Sequence, residues 1–253
     1  MAVMDEFKEE RAALKKASFK EKFNYFWYYY KWYVIGGIAL IIMVSSFIHQ
    51  YLSQKDNVFY AAMLNTSMMT DGSDLTQGYA DYAGIDLESS EVYFDTTLRA
   101  SIDGIYTDIL GDESYTTLQK LAVYTSAQEL DTMITDMTSF QKYANSYTFY
   151  DLRDILTEEQ IAKYEPYFYY VDQKIVDEIE AANAAWDDSY VPVYPDPTKP
   201  EEMDTPIPVG IFLDASEAAM ENFYFRGEGP VMGVYCNTLH LENTLRFIDY
   251  LFQ

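Results

Sequence analysis

Residues 34–48 read Val-Ile-Gly-Gly-Ile-Ala-Leu-Ile-Ile-Met-Val-Ser-Ser-Phe-Ile, without a single charge. A helix apolar on every side has to be surrounded by apolar material on every side. Here it would stand between a short basic stretch and the start of a domain, so lipid is a better solvent for it than a protein core. With Trp32, Tyr33, Tyr51 and Leu52 the run approaches the roughly 20 residues that cross a bilayer. Gly36 and Gly37 are tolerable there, because lipid offers the backbone no partner other than its own helix hydrogen bonds. Immediately before it, eight of the nine residues 25–33 are aromatic and the ninth is Lys31. Tyrosine and tryptophan settle at the headgroup level, and a lysine snorkels to the same depth. An aromatic core strand is the alternative for this stretch.

Charge divides the chain at the same place. Of 17 Lys/Arg and 41 Asp/Glu, eight and five lie within residues 1–55, a net of +3; the remaining nine and 36 give residues 56–253 a net of -27. The positive-inside rule then sets the N-terminus in the cytoplasm and the chain from about Ser53 outside. A cleaved signal peptide would have an n-region of over 30 residues, no A-x-A-like site and no cysteine for lipid attachment. The expected organisation is a cytoplasmic basic and aromatic helical segment (1–32), a spanning helix (33–52) and an extracytoplasmic domain (53–253). The charged stretch 5–23 reads as a helix lying along the inner membrane surface. So acidic a domain repels phosphates, which excludes nucleic acid as a partner. The lone Cys236 rules out an internal disulfide.

From Asn57 onward short apolar strands alternate with helices: strands at 58–64, 91–95, 130–135, 209–213 and 231–236, and helices at 75–83, 98–110, 115–126, 137–144, 157–164, 215–222 and 241–252. The two helices before residue 127 are expected to split at Gly111-Asp112. Thr157 followed by Glu158, Glu159 and Gln160 is an N-terminal capping signal. Residues 187–208 hold six of the eight prolines and read as a long extended loop. Alternation of this kind argues for an α/β fold with a largely parallel sheet.

Residues 121–136, the Ser139-Phe-Gln-Lys-Tyr143 stretch, the Phe149-Tyr-Asp-Leu-Arg-Asp-Ile155 turn and the late strand and helix over 234–251 resemble bacterial extracellular solute-binding proteins. The resemblance implies a periplasmic-binding-like fold of type 2. About 200 residues are short for the two lobes usual in that family, so a reduced second lobe is expected. A spanning helix stands where the family carries a lipid-anchoring cysteine.

Catalytic chemistry finds little in the sequence. There are two histidines, His49 at the membrane boundary and His240 opening the last helix, and no HExxH, Ser-centred elbow or phosphate-binding glycine loop. Gly227-Glu-Gly229 with Gly233, and Thr70-Asp-Gly-Ser-Asp74, read as turns. One cysteine and one domain histidine cannot build a four-ligand metal site, and no cofactor is expected. The rule for open α/β sheets places a ligand at strand C-terminal ends. That selects Asn65, Thr66 and Ser67 after the first strand, Asp95 and Thr96 after the second, Asp136 and Ser139 after the third, and Asn237 and Thr238 after the last. These side chains could bind a small polar solute, a sugar or a peptide, or could simply cap the helices that follow. The leading reading is a non-enzymatic, membrane-anchored solute-binding-like protein that senses a ligand or serves a transport or envelope complex through a membrane-protein partner. The alternative is an interaction scaffold that has lost ligand binding; its tyrosines suit a protein-contact face.

Overall fold

The computed structural model describes residues 18–52, 55–100, 107–187, 189–227 and 229–253. The chain divides into two compact units, Met1–Gln54 and Lys55–Gln253. In the first unit, helix α1 (Phe19–Leu52) runs unbroken for 34 residues, about 51 Å at 1.5 Å per residue. Ser18 and Glu21 start it: the Ser18 N–H donates to the Glu21 carboxylate at 2.9 Å, and the Glu21 N–H donates back to Ser18 Oγ at 3.4 Å, a reciprocal cap. The aromatic run is part of this helix rather than a strand. Phe23 and Trp27, Tyr25 and Tyr29, and Phe26 and Tyr30 pair one turn apart, with ring centroids at 6.2, 4.6 and 5.3 Å. Residues 19–51 are long and apolar enough to cross a membrane, with a mean hydropathy of 1.9 in their most apolar window. The part of the expected surface helix that falls on residues 5–17 lies outside the described residues.

The second unit is a mixed α/β domain. Its strands are β1 (Asp56–Met63), β2 (Thr66–Met68), β3 (Ser90–Asp95), β4 (Thr132–Asp136), β5 (Phe168–Asp172), β6 (Pro206–Phe212), β7 (Phe223–Phe225) and β8 (Pro230–Val234). Its helices are α2 (Ser73–Ala83), α3 (Thr107–Ser126), α4 (Met137–Ala144), α5 (Leu152–Ile155), α6 (Glu158–Tyr164), α7 (Gln173–Ala185), α8 (Glu217–Asn222) and α9 (Leu241–Leu251). The main sheet has the order β3-β1-β4-β8-β6-β5, and β2 and β7 form a separate antiparallel pair. β1 is parallel to both β3 and β4, whereas the β4–β8, β8–β6 and β6–β5 pairings are antiparallel. Strands β3, β1, β4 and β6 therefore share one direction, and β8 and β5 oppose it.

The alternation of side chains along β1 explains the layering. Phe59, Ala61 and Met63 point into one core, with Leu75 and Tyr79 of α2 and Phe247, Ile248 and Leu251 of α9. Tyr60, Ala62 and Leu64 point into the other, with Leu121 of α3, Phe140 of α4 and Val176 of α7. A strand with apolar residues on both faces needs helices on both. The densest contact is aromatic: the Phe247 ring lies 4.7, 5.0 and 5.5 Å from those of Phe59, Tyr79 and Phe94. On the other face the Phe140 ring lies over glycine. A Cβ at Gly210 or Gly233 would come within 2.8 Å of it, so the sheet leaves a slot there that only glycine keeps open.

The structure changes several sequence expectations. Helix α3 passes through Gly111-Asp112 without a break, and of the helix expected at 98–110 the stretch 101–106 lies outside the described residues. Residues 165–186, which carried no sequence assignment, supply edge strand β5 and helix α7. The segment 165–208 belongs to the compact unit Lys55–Gln253. Its proline-rich part runs beside β5, where the Tyr170 N–H donates to the Pro197 carbonyl at 2.9 Å, and Pro206 and Pro208 enter β6 itself. The capping signal at Thr157 is realised in full, with reciprocal bonds to Gln160. Replacing Phe247 by alanine removes the ring that joins β1, β3, α2 and α9; we expect a loss of about 3–5 kcal/mol, read as a shifted urea midpoint with an unchanged slope.

Candidate functional site

β1, β3, β4 and β6 end at the same edge of the sheet, and most of the strand-end residues meet there. Asn65 follows β1 in a left-handed conformation, φ 55°, which asparagine tolerates better than most residues. Its side chain grips the next segment: Nδ2 donates to the Ala100 carbonyl at 3.0 Å and to Ser139 Oγ at 3.2 Å, while Oδ1 accepts from the Ala100 N–H at 3.1 Å. Ser139 Oγ donates in turn to Asp136 Oδ2 at 2.7 Å, and Asp136 Oδ1 caps α4 by accepting from the Ser139 N–H at 2.9 Å. Thr66 is buried and donates to the Leu64 carbonyl at 3.0 Å. Arg99 ties Ser67 to Thr96, donating to Ser67 Oγ at 3.1 Å and to the Thr96 carbonyl at 2.7 Å.

Asp95 is fully buried at the end of β3 and is held from four sides. Tyr60 Oη donates to it at 2.7 Å, Thr97 donates through both N–H and Oγ, and Lys120 Nζ forms an ion pair with it. Burial pushes the Asp95 carboxyl up, but the bonds from Lys120, Thr97 and Tyr60 outweigh it and hold the group below its ordinary 3.8. The same pair raises Lys120 despite its partial desolvation. The Asp95–Thr97 turn recurs: Asp71, Asp187 and Asp196 each accept at Oδ1 from both the N–H and the hydroxyl of the Ser or Thr two residues on. Part of the acid excess therefore shapes turns. The Asp71 case includes the expected turn at 70–74 and leads directly into α2.

Asn237 and Thr238 lie at the opposite edge, because β8 runs against β4. There the sequence reading missed a buried centre. Asp131, fully buried just before β4, accepts from the Tyr60 N–H at 2.7 Å, from Thr238 Oγ and from His240 Nδ1 at 3.2 Å. Burial dominates and raises the Asp131 carboxyl, with the bonds from Thr238, Tyr60 and His240 opposing it. Asn237 Nδ2 donates to the Thr125 carbonyl at 2.6 Å. An acid between Leu130 and Thr132, inside an apolar run, was the available signal for a buried, partnered carboxylate.

Beside the edge that gathers Asn65, Asp136 and Ser139 lies an open groove of about 640 Å³, walled by Met69, Met220, Phe223, Tyr224 and Phe225. It is seated there by the β2–β7 pair and by Gly227, where a Cβ would stand 2.6 Å from that of Asp136. Met69, Met220 and Tyr224 are 53, 43 and 57% exposed. The polar strand-end groups are thus bonded inward, while the accessible surface next to them is mainly apolar, with the exposed Asp214 also lining the groove. Among the described residues no group of three or more metal-ligating side chains occurs. No family model, curated protein or solved structure matches the chain.

Asp95→Asn should lower stability by about 2 kcal/mol near neutral pH, leaving Lys120 without its counter-charge. A carboxylate with a depressed pKa stabilises above the unfolded value and ceases to do so as pH falls through the folded one. The gap between the two proteins should therefore narrow below about pH 4. Urea midpoints down to about pH 3 check this; a gap that ignores pH would mean that Asp95 is not charged in the fold.

Proposed function

We propose that this is a membrane-anchored interaction domain. Helix α1 crosses the bilayer with the N-terminus in the cytoplasm, and residues 55–253 stand outside as a scaffold that docks another protein of the cell envelope. One observation carries the reading. Asn65, Thr66, Asp95, Asp136 and Ser139 spend their hydrogen bonds on the fold, while Met69, Met220 and Tyr224 present apolar surface beside them. A sugar or other polar solute needs accessible donors and acceptors to fix its orientation. Methionine and tyrosine instead suit an adaptable protein contact. The resemblance to solute-binding proteins is compatible with a scaffold that keeps the α/β frame of a receptor without its clamp.

Two measurements test the proposal. In a Cys236→Ser background, single cysteines at Ala13 and Ser73 should be labelled by an impermeant maleimide from opposite sides of the membrane; labelling from one side would end the single-pass arrangement. A photo-crosslinking residue at Tyr224 should give a discrete protein adduct in intact cells that is lost with Met69→Glu/Met220→Glu. A small polar molecule copurifying with the native chain in mass spectrometry, without such an adduct, would favour a receptor instead.

A further inference from the structure

Helix α8 is a ridge between two grooves. Met220 on it faces the apolar groove, whereas Glu217, Ala218 and Glu221 line a second open groove of about 610 Å³. The last turn of α9 joins the parts of this second groove. Ser216 Oγ fastens the start of α8 to the Leu251 carbonyl at 2.7 Å, and Tyr164 Oη at the end of α6 donates to Asp249 at 2.6 Å. Phe252 packs against Tyr164 and Tyr167, ring centroids at 5.3 and 5.4 Å. The groove thus combines aromatic faces with two carboxylates one helical turn apart, a spacing at which like charges work against the helix. Neither Glu217 nor Glu221 is paired with a cation among the described residues. Lys163, the groove's own cation, lies 5.0 Å over the Tyr164 ring, a cation–π contact that leaves the Tyr167 and Phe252 rings without a cation of this chain among the described residues.

We propose that α8 is the centre of a two-part docking surface for a basic, apolar segment of a partner protein. Apolar side chains of that segment enter the Met69–Met220–Tyr224 groove. A Lys or Arg beside them crosses the ridge and lies against Tyr167 and Phe252, with Glu217 and Glu221 as its counter-charges. Charge complementarity selects this occupant: the domain's net of -27 over residues 56–253 repels an acidic segment. The inference rests on the interaction reading above and adds the chemistry of the partner.

The test uses the full chain in phosphatidylcholine nanodiscs, with methionine methyls labelled and Met69 and Met220 assigned by Met→Leu replacement. Capped leucine-lysine-leucine and leucine-glutamate-leucine tripeptides are titrated, with empty nanodiscs as the control. Both peptides should shift the two methyls, and the lysine peptide should bind about three- to tenfold more tightly, as expected for a pair of exposed counter-charges. Glu217→Gln/Glu221→Gln should abolish that preference and Glu217→Lys/Glu221→Lys should invert it, while Glu201→Gln/Glu202→Gln leaves it intact. Methyl shifts without a lysine preference, or a preference that survives the Glu217/Glu221 variants, would overturn the inference and leave the apolar docking face standing. No methyl shift with either peptide, or binding matched by empty nanodiscs, would overturn both.

Discussion

The double-faced burial of β1 is the constraint on which the rest of the domain depends. Phe59 to Leu64 are all buried, odd positions into one core and even positions into the other. A strand of this kind can sit only inside a sheet, with neighbours on both edges and helices on both faces. β3 and β4 provide the neighbours, both parallel to it. The helix after each parallel strand then has to return across a face, which gives α2 on one side and α3 on the other. The buried polar groups serve the same strand: Asp95 receives the Tyr60 hydroxyl and Asp131 the Tyr60 N–H, so one residue of β1 is anchored by a carboxylate through its side chain and by another through its backbone.

Much of this was legible in the sequence because it is local. β1, β3, β4, α2, α4, α6 and α9 are marked by periodicity and caps, and their boundaries fall within a few residues of expectation. What stayed hidden is non-local or weakly patterned. α7 buries only Val176, so its apolar stripe carries almost no signal, and β5 is a tyrosine-rich run whose strand character comes from pairing with β6. The direction of β8 is set by its neighbours, which no window of sequence contains. That one property moved Asn237 and Thr238 to the edge away from Asn65 and Asp136. The other strand-end residues lie at one edge, but their bonds run to the fold itself: Asn65 to Ala100 and Ser139, Asp95 to Tyr60, Thr97 and Lys120, and Thr66 to Leu64, a matter of side-chain direction that strand position does not encode.

The acid excess, at first sight the least specific feature of the chain, separates into parts with different physics. Asp71, Asp95, Asp187 and Asp196 organise turns through the hydroxyl two residues on. Asp136, Asp151 and Asp172 cap helices α4, α5 and α7. Asp131 and Asp95 are buried and partnered. Glu217 and Glu221 belong to the exposed remainder: Glu217 lies in the first turn of α8, where a carboxylate suits the helix dipole, and neither has a cation partner among the described residues.

The glycine slot under Phe140 couples three distant positions. The ring is admitted only while 210 and 233 lack a Cβ, and the glycines leave a void unless a flat ring covers them. No one of the three can change alone without a collision or a cavity, so substitutions there would have to arrive together. A related chain that keeps this packing would have to carry the whole pattern together: an aromatic at the fourth position of the helix after β4, and a glycine in each of the two antiparallel strands beneath it.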